Sequence, residues 1–173
     1  MYVQELLIYT ENNLSTECLA RYVLESSGHA SAKRVLYLSQ QLFPDYLRCV
    51  TLLGFKDLLG ANAHDYIKVT HLYKDYDGSR VLYGKGFSYS SILDPATHNS
   101  MYDDTILEDI RNKVYDVIVY GSCYRGMPLY KFISLFYDPK DFVFLCGEDE
   151  QTRDPHIDLN LPEESHVYIR EML

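Results

Sequence analysis

Short apolar runs alternate along this chain with stretches in which apolar residues recur every three or four positions. The runs read as buried strands and the periodic stretches as helices packed on them. Residues 6–10 read as a first strand. Residues 18–26 read as a helix with Leu19, Tyr22 and Val23 on one face and Gly28 just past its end. Residues 34–39 form a second strand. A well-punctuated helix follows, with Pro44 in its first turn and Gly60 at its C′ position. Within it Leu47, Val50, Gly54 and Leu58 recur at helical spacing. Gly54 costs that helix roughly 1 kcal/mol relative to alanine, so close packing against its backbone is expected there.

Residues 67–73 read as a third, more polar strand, and Asp75-Tyr76-Asp77-Gly78-Ser79 as a turn. Residues 81–93 carry no clear pattern. Thr105-x-x-Glu108 matches a capping box opening a helix with Leu107, Ile110 and Val114 aligned. Residues 116–120 and 141–146 are apolar strands. Between them residues 128–137 form a helix with Leu129, Phe132, Ile133 and Phe136 on one face. Residues 167–170 are a candidate last strand. Strands apolar at every position are buried on both faces, and their alternation with helices implies parallel crossovers. The expected architecture is therefore α/β: one three-layer, Rossmann-like domain over residues 1–173, with a mostly parallel sheet of about five or six strands.

The length, 173 residues, suits one domain able to bury a full core. A net charge of -9 disfavours nucleic-acid backbones and anionic lipid. The segment Met1-Tyr2-Val3-Gln4-Glu5 lacks the basic and apolar regions of a signal peptide, and no apolar run is long enough for a membrane helix. Cys18, Cys49, Cys123 and Cys146 form no CxxC pair, so they read as reduced thiols in a cytoplasmic protein without a metal site. The 17 tyrosines suit core margins and, at some positions, the walls of a sugar or base site.

Ligands of open parallel sheets bind beyond the carboxyl ends of the strands. The richest turn there is 121–128. Gly121, Ser122, Arg125 and Gly126 could hold a phosphate, with the helix that starts at Pro128 adding its dipole. A tight structural turn with Arg125 paired to a carboxylate is the equal alternative. In the turn after the next strand, Glu148 and Asp149 could hold ribose hydroxyls or a divalent cation, or form a solvated acidic run with Glu150. Lys85, between Gly84 and Gly86, could close over a phosphate or sugar, or sit in an ordinary loop plugged by Phe87. His64-Asp65 reads as a loop pair, with an acid–base pair as the lesser alternative. No nucleophile elbow, Walker A or GxGxxG motif is present, and no motif implies a cofactor.

Leu82-Tyr83-Gly84-Lys85-Gly86-Phe87, Gly121-Ser122 with Arg125-Gly126-Met127-Pro128, and Gly147-Glu148-Asp149 together resemble an uncharacterised Rossmann-like domain of glycan-building proteins, sometimes found beside glycosyltransferase domains. The resemblance spans about residues 45–150. It implies a glycosyltransferase-like or sugar-nucleotide-handling role and carries over no catalytic residue. A complete two-domain glycosyltransferase needs about twice this length. The expectation is a domain that binds a nucleotide, sugar-nucleotide or phosphorylated sugar, completed by a partner domain or a second copy. The alternative is a non-catalytic interaction module.

Overall fold

The structure is a computed structural model, and it describes residues 2–40, 44–78, 82, 89–147 and 154–170. Lys85, Glu148 and Asp149 lie outside the described residues. Five strands form one sheet: β1 (Val35–Leu38), β2 (Ala63–Tyr66), β3 (Val117–Gly121), β4 (Phe142–Cys146) and β5 (His166–Ile169). All neighbours are parallel and the spatial order is β2-β1-β3-β4-β5. The α/β class and the strand number match the expectation.

Side-chain alternation on the strands divides the core between the two faces of the sheet. Val35, Tyr37, Val117, Val119, Val143 and Leu145 face α2 (Thr16–Ser26) and α3 (Tyr46–Leu59). Leu36, Leu38, Ile118, Tyr120, Phe142 and Phe144 face α4 (Met101–Arg111) and the single-turn α5 (Tyr130–Ile133). α2 and α3 pack closely because Gly54 has no side chain. A Cβ there would fall on the Thr16 carbonyl and lie 3.3 Å from the Ala20 Cβ. Gly28 and Gly60 both have positive φ, as the ends of these helices require.

Several local expectations are overturned. Residues 6–10 belong to a helix, α1 (Tyr2–Asn13), none of whose residues is buried. Its short apolar run carries no period that separates strand from helix. The strand expected at 67–73 lies earlier, at β2, and residues 70–72 form a 3-10 turn. β2 was hidden because its central residues, His64 and Asp65, are polar yet buried among partners. α4 starts at Met101, so Thr105 is inside it and donates to the Met101 carbonyl and Asp109. Leu107 is exposed, whereas Ile106 and Ile110 are buried. In the expected helix 128–137 only residues 130–133 are α-helical. There Ile133 and Tyr137 are buried, while Phe132 and Phe136 are half-buried against each other.

Cys123 and Cys146 are not free thiols but a disulfide, with their Cα atoms 5.6 Å apart. The β3–β4 register brings Gly121 opposite Leu145, so the chain leaving β3 passes the end of β4 at disulfide distance. Cys18 and Cys49 remain unpaired. Among the described residues no helix is long and apolar enough to cross a membrane.

Candidate functional site

The order β2-β1-β3-β4-β5 reverses its winding between β1 and β3. In doubly wound sheets the crevice outside the carboxyl ends of those two strands is the usual ligand site. Since β3 and β4 are parallel neighbours, Gly121 and Gly147 share that edge, as the two turns must if they serve one site.

Asp45 organises the corner. It is the N-cap of α3, where its Oδ1 accepts the Arg48 backbone N–H at 2.8 Å. The same oxygen accepts from the Ser122 hydroxyl at 2.7 Å. Its Oδ2 lies 2.6 Å from Arg125 Nε, an ion pair rather than an aligned hydrogen bond. Arg48, wholly buried, donates from Nη1 to the Ser39 hydroxyl at the end of β1 at 2.8 Å. Two guanidinium groups and one carboxylate thus meet here among the described residues. The turn signal at Pro44 pointed to the helix start, but nothing in the sequence linked Asp45, Ser39 or Arg48 to the 121–126 turn.

The turn itself is more structural than its glycines suggested. A Cβ on Gly121 would collide with the Tyr37 ring, so internal packing already accounts for that glycine. Gly126, at φ 122°, is packed against Gln40. Ser122 is buried in the left-handed region, φ 59°. The Arg125 and Gly126 amides donate within the turn, to the Ser122 and Cys123 carbonyls. The helix after Pro128 is one turn long and starts at Leu129 without a side-chain cap. It supplies no appreciable macrodipole, so the expected help for an anion from that source falls away. Arg125, with its side chain 37% exposed, is the cation left facing solvent in the turn.

A groove of about 410 Å³ lies beside this corner, between α2 and α3. Tyr46, directly after Asp45, walls it with Tyr22, Tyr89, Leu14, Leu19 and Val50. The Tyr46 and Tyr89 rings meet edge to face at 5.5 Å. Tyr22 and Tyr46 are more than half exposed, an apolar surface of the kind on which sugars and bases stack.

A second polar cluster surrounds β2. His64 and Asp65 are adjacent strand residues rather than a loop pair, and their side chains go to opposite faces. Asp65 Oδ1 lies 2.8 Å from Lys56 Nζ and 3.0 Å from His98 Nδ1, and accepts from the Tyr73 hydroxyl at 2.8 Å. Its Oδ2 accepts the Val69 N–H at 3.0 Å. Burial alone would raise the Asp65 pKa, but these partners hold it well below the usual carboxylate range. His64 Nε2 lies 2.8 Å from Asp103 Oδ1 and its Nδ1 3.0 Å from the Tyr115 hydroxyl. Burial lowers the His64 pKa in spite of the Asp103 contact. Among the described residues no group of acidic, histidine or cysteine side chains has the arrangement of a metal site. Comparison with family models, curated proteins and solved structures finds no match to this chain.

Proposed function

We propose that this chain is a ligand-binding α/β domain for a nucleotide, a sugar-nucleotide or a phosphorylated sugar, held at the carboxyl edge between β1 and β3. The observation that supports this most directly is the tyrosine-walled groove beside the sheet's switch point. Tyr46 walls the groove and the preceding residue, Asp45, is the partner of Arg125. A base or sugar stacks on Tyr46 and Tyr89, and the phosphate draws Arg125 away from Asp45. A glycosyltransferase-like role in glycan synthesis follows from the resemblance of the 82–87, 121–128 and 147–149 segments. A thermal-shift screen of nucleotides and nucleotide sugars tests this reading. A ligand at 100 times its Kd stabilises the fold by about 2.7 kcal/mol. Arg125→Ala abolishes that stabilisation while changing the free protein by about 1 kcal/mol or less, because the pair is partly solvated. A free protein weakened by several kcal/mol instead makes Arg125 structural and sinks the phosphate role.

The second reading, a non-catalytic interaction module, is favoured by one observation: Arg125 is already paired to an internal carboxylate. No thermal shift with any nucleotide or phosphosugar decides for it. A cytoplasmic setting belongs to the first reading, and the Cys123–Cys146 disulfide weighs against it.

A further inference from the structure

The outer edge of β2 is bordered by chain from residues 67–78 and 89–98. These two stretches are tied together by Lys74 N–H to the Leu93 carbonyl at 2.9 Å, Ile92 N–H to the Leu72 carbonyl at 2.8 Å and Ser91 N–H to the His71 carbonyl at 2.9 Å. At the end of this strap His98 reaches around the edge. Its Nδ1 lies 3.0 Å from Asp65 Oδ1, on the α3 face of the sheet. Its Nε2 lies 3.0 Å from Asp103 Oδ2, in the first turn of α4 on the opposite face. A carboxylate oxygen only accepts, so both ring nitrogens donate and the ring is an imidazolium.

We propose that His98 is a proton-operated latch fastening the strap along β2 to the start of α4. The surrounding groups make the proton decisive. Lys56 from α3 faces Asp65 and also donates to the Thr97 carbonyl at 2.8 Å. Tyr73 and Lys68 come from the strap, with Lys68 Nζ 4.3 Å from the centre of the Tyr73 ring. His64 from β2 shares Asp103 with His98, and Tyr115 holds the far side of His64. Tyr102 from α4 meets His64, and Arg34 lies over the Tyr102 and Tyr115 rings. In the hydrogen-bonded chain Lys56–Asp65–His98–Asp103 two cations face two anions. Loss of the His98 proton leaves one carboxylate uncompensated and turns a ring lone pair toward it. Asp65 is wholly buried with three further donors, whereas the Asp103 side chain is 34% exposed. The proton therefore stays on Nδ1, and the contact to Asp103 opens.

Burial alone would lower the His98 pKa, but the hydrogen bonds and charges of Asp65 and Asp103 outweigh it and raise it above 6.5. A raised histidine pKa gives stability that is complete below pH 6.5 and is lost as pH rises through the folded-state value. The latch is closed in mild acid and opens on the alkaline side.

The test is a histidine-ring NMR titration of the whole chain, combined with amide exchange at residues 70–78 and 89–98. Exchange rates are corrected for intrinsic base catalysis. His98 should titrate above pH 6.5 and His64 below it. Protection in the strap should fall about tenfold across the His98 titration, the effect of one pKa unit of differential interaction. Protection in β3 and β4 should not change. Asp103→Asn should move the His98 midpoint and the protection step down together, and His98→Gln should remove the step. A His98 midpoint at or below 6.5, a flat strap profile, or a step that survives His98→Gln overturns the latch. If a variant does not fold, the unmodified chain decides through its own titration and strap profile.

Discussion

Asp45 is a single carboxylate with three tasks: it caps α3, fixes Ser122 and holds Arg125. Removing it leaves the Arg48 amide and the Ser122 hydroxyl without their partner in a buried corner. Loss of the cap and of a charged hydrogen bond together should make Asp45→Ala cost about 2–4 kcal/mol in urea denaturation. Asp45→Asn, which keeps an oxygen for the cap, should cost clearly less. Equal losses for the two would mean that the charge toward Arg125, not the cap, is what matters. The residue itself was visible in the sequence as an Asp after a proline. Its link to Ser122, 77 positions away, was not, because that contact exists only once β1 and β3 lie side by side. For the same reason Arg125 was identified as a candidate while its partner was not.

At the level of elements, regular apolar periodicity was readable and its exceptions were not. β1, β3 and β4 are apolar at nearly every position, and the sequence locates them to within a residue or two. β2 escaped notice because its buried His64 and Asp65 are satisfied by residues of α3, α4 and the strap, and a sequence pattern counts them as polar. α1 was misread because its apolar run packs against nothing that would fix its type. Gly54 is the opposite case, where an apparent flaw in a helix predicted a close contact. Alanine there gains about 1 kcal/mol of helix propensity but drives a methyl group into the Thr16 carbonyl. Gly54→Ala should therefore destabilise the protein by a net 1–3 kcal/mol, about the usual cost of overpacking. A more stable variant would show that α2 and α3 can slide apart freely.

For the molecule as a whole, buried histidines set the acid limit of stability. Burial, aided by the positive charge of Arg48, lowers the pKa of His71 to about 4, and burial lowers those of His64 and His29. A lowered histidine pKa gives stability that is complete above pH 6.5 and shrinks as pH falls toward the folded value. His71 alone should cost the fold about 2 kcal/mol between pH 7 and pH 5, and His71→Gln should flatten that part of the urea-midpoint profile. An unchanged slope in the variant would assign the acid sensitivity to other groups. The strand order has a further consequence, in time rather than in energy. β1 sits between β2 and β3, and Val35 pairs with Val117, about 80 residues later in the chain. At a synthesis rate of about 5–20 residues per second, the β1–β2 pair waits roughly 4–16 s for the strand that closes its inner side. Throughout that interval the growing polypeptide presents an unpaired, wholly apolar strand edge, so the risk of misassembly is highest in the middle of translation, before β3 leaves the ribosome.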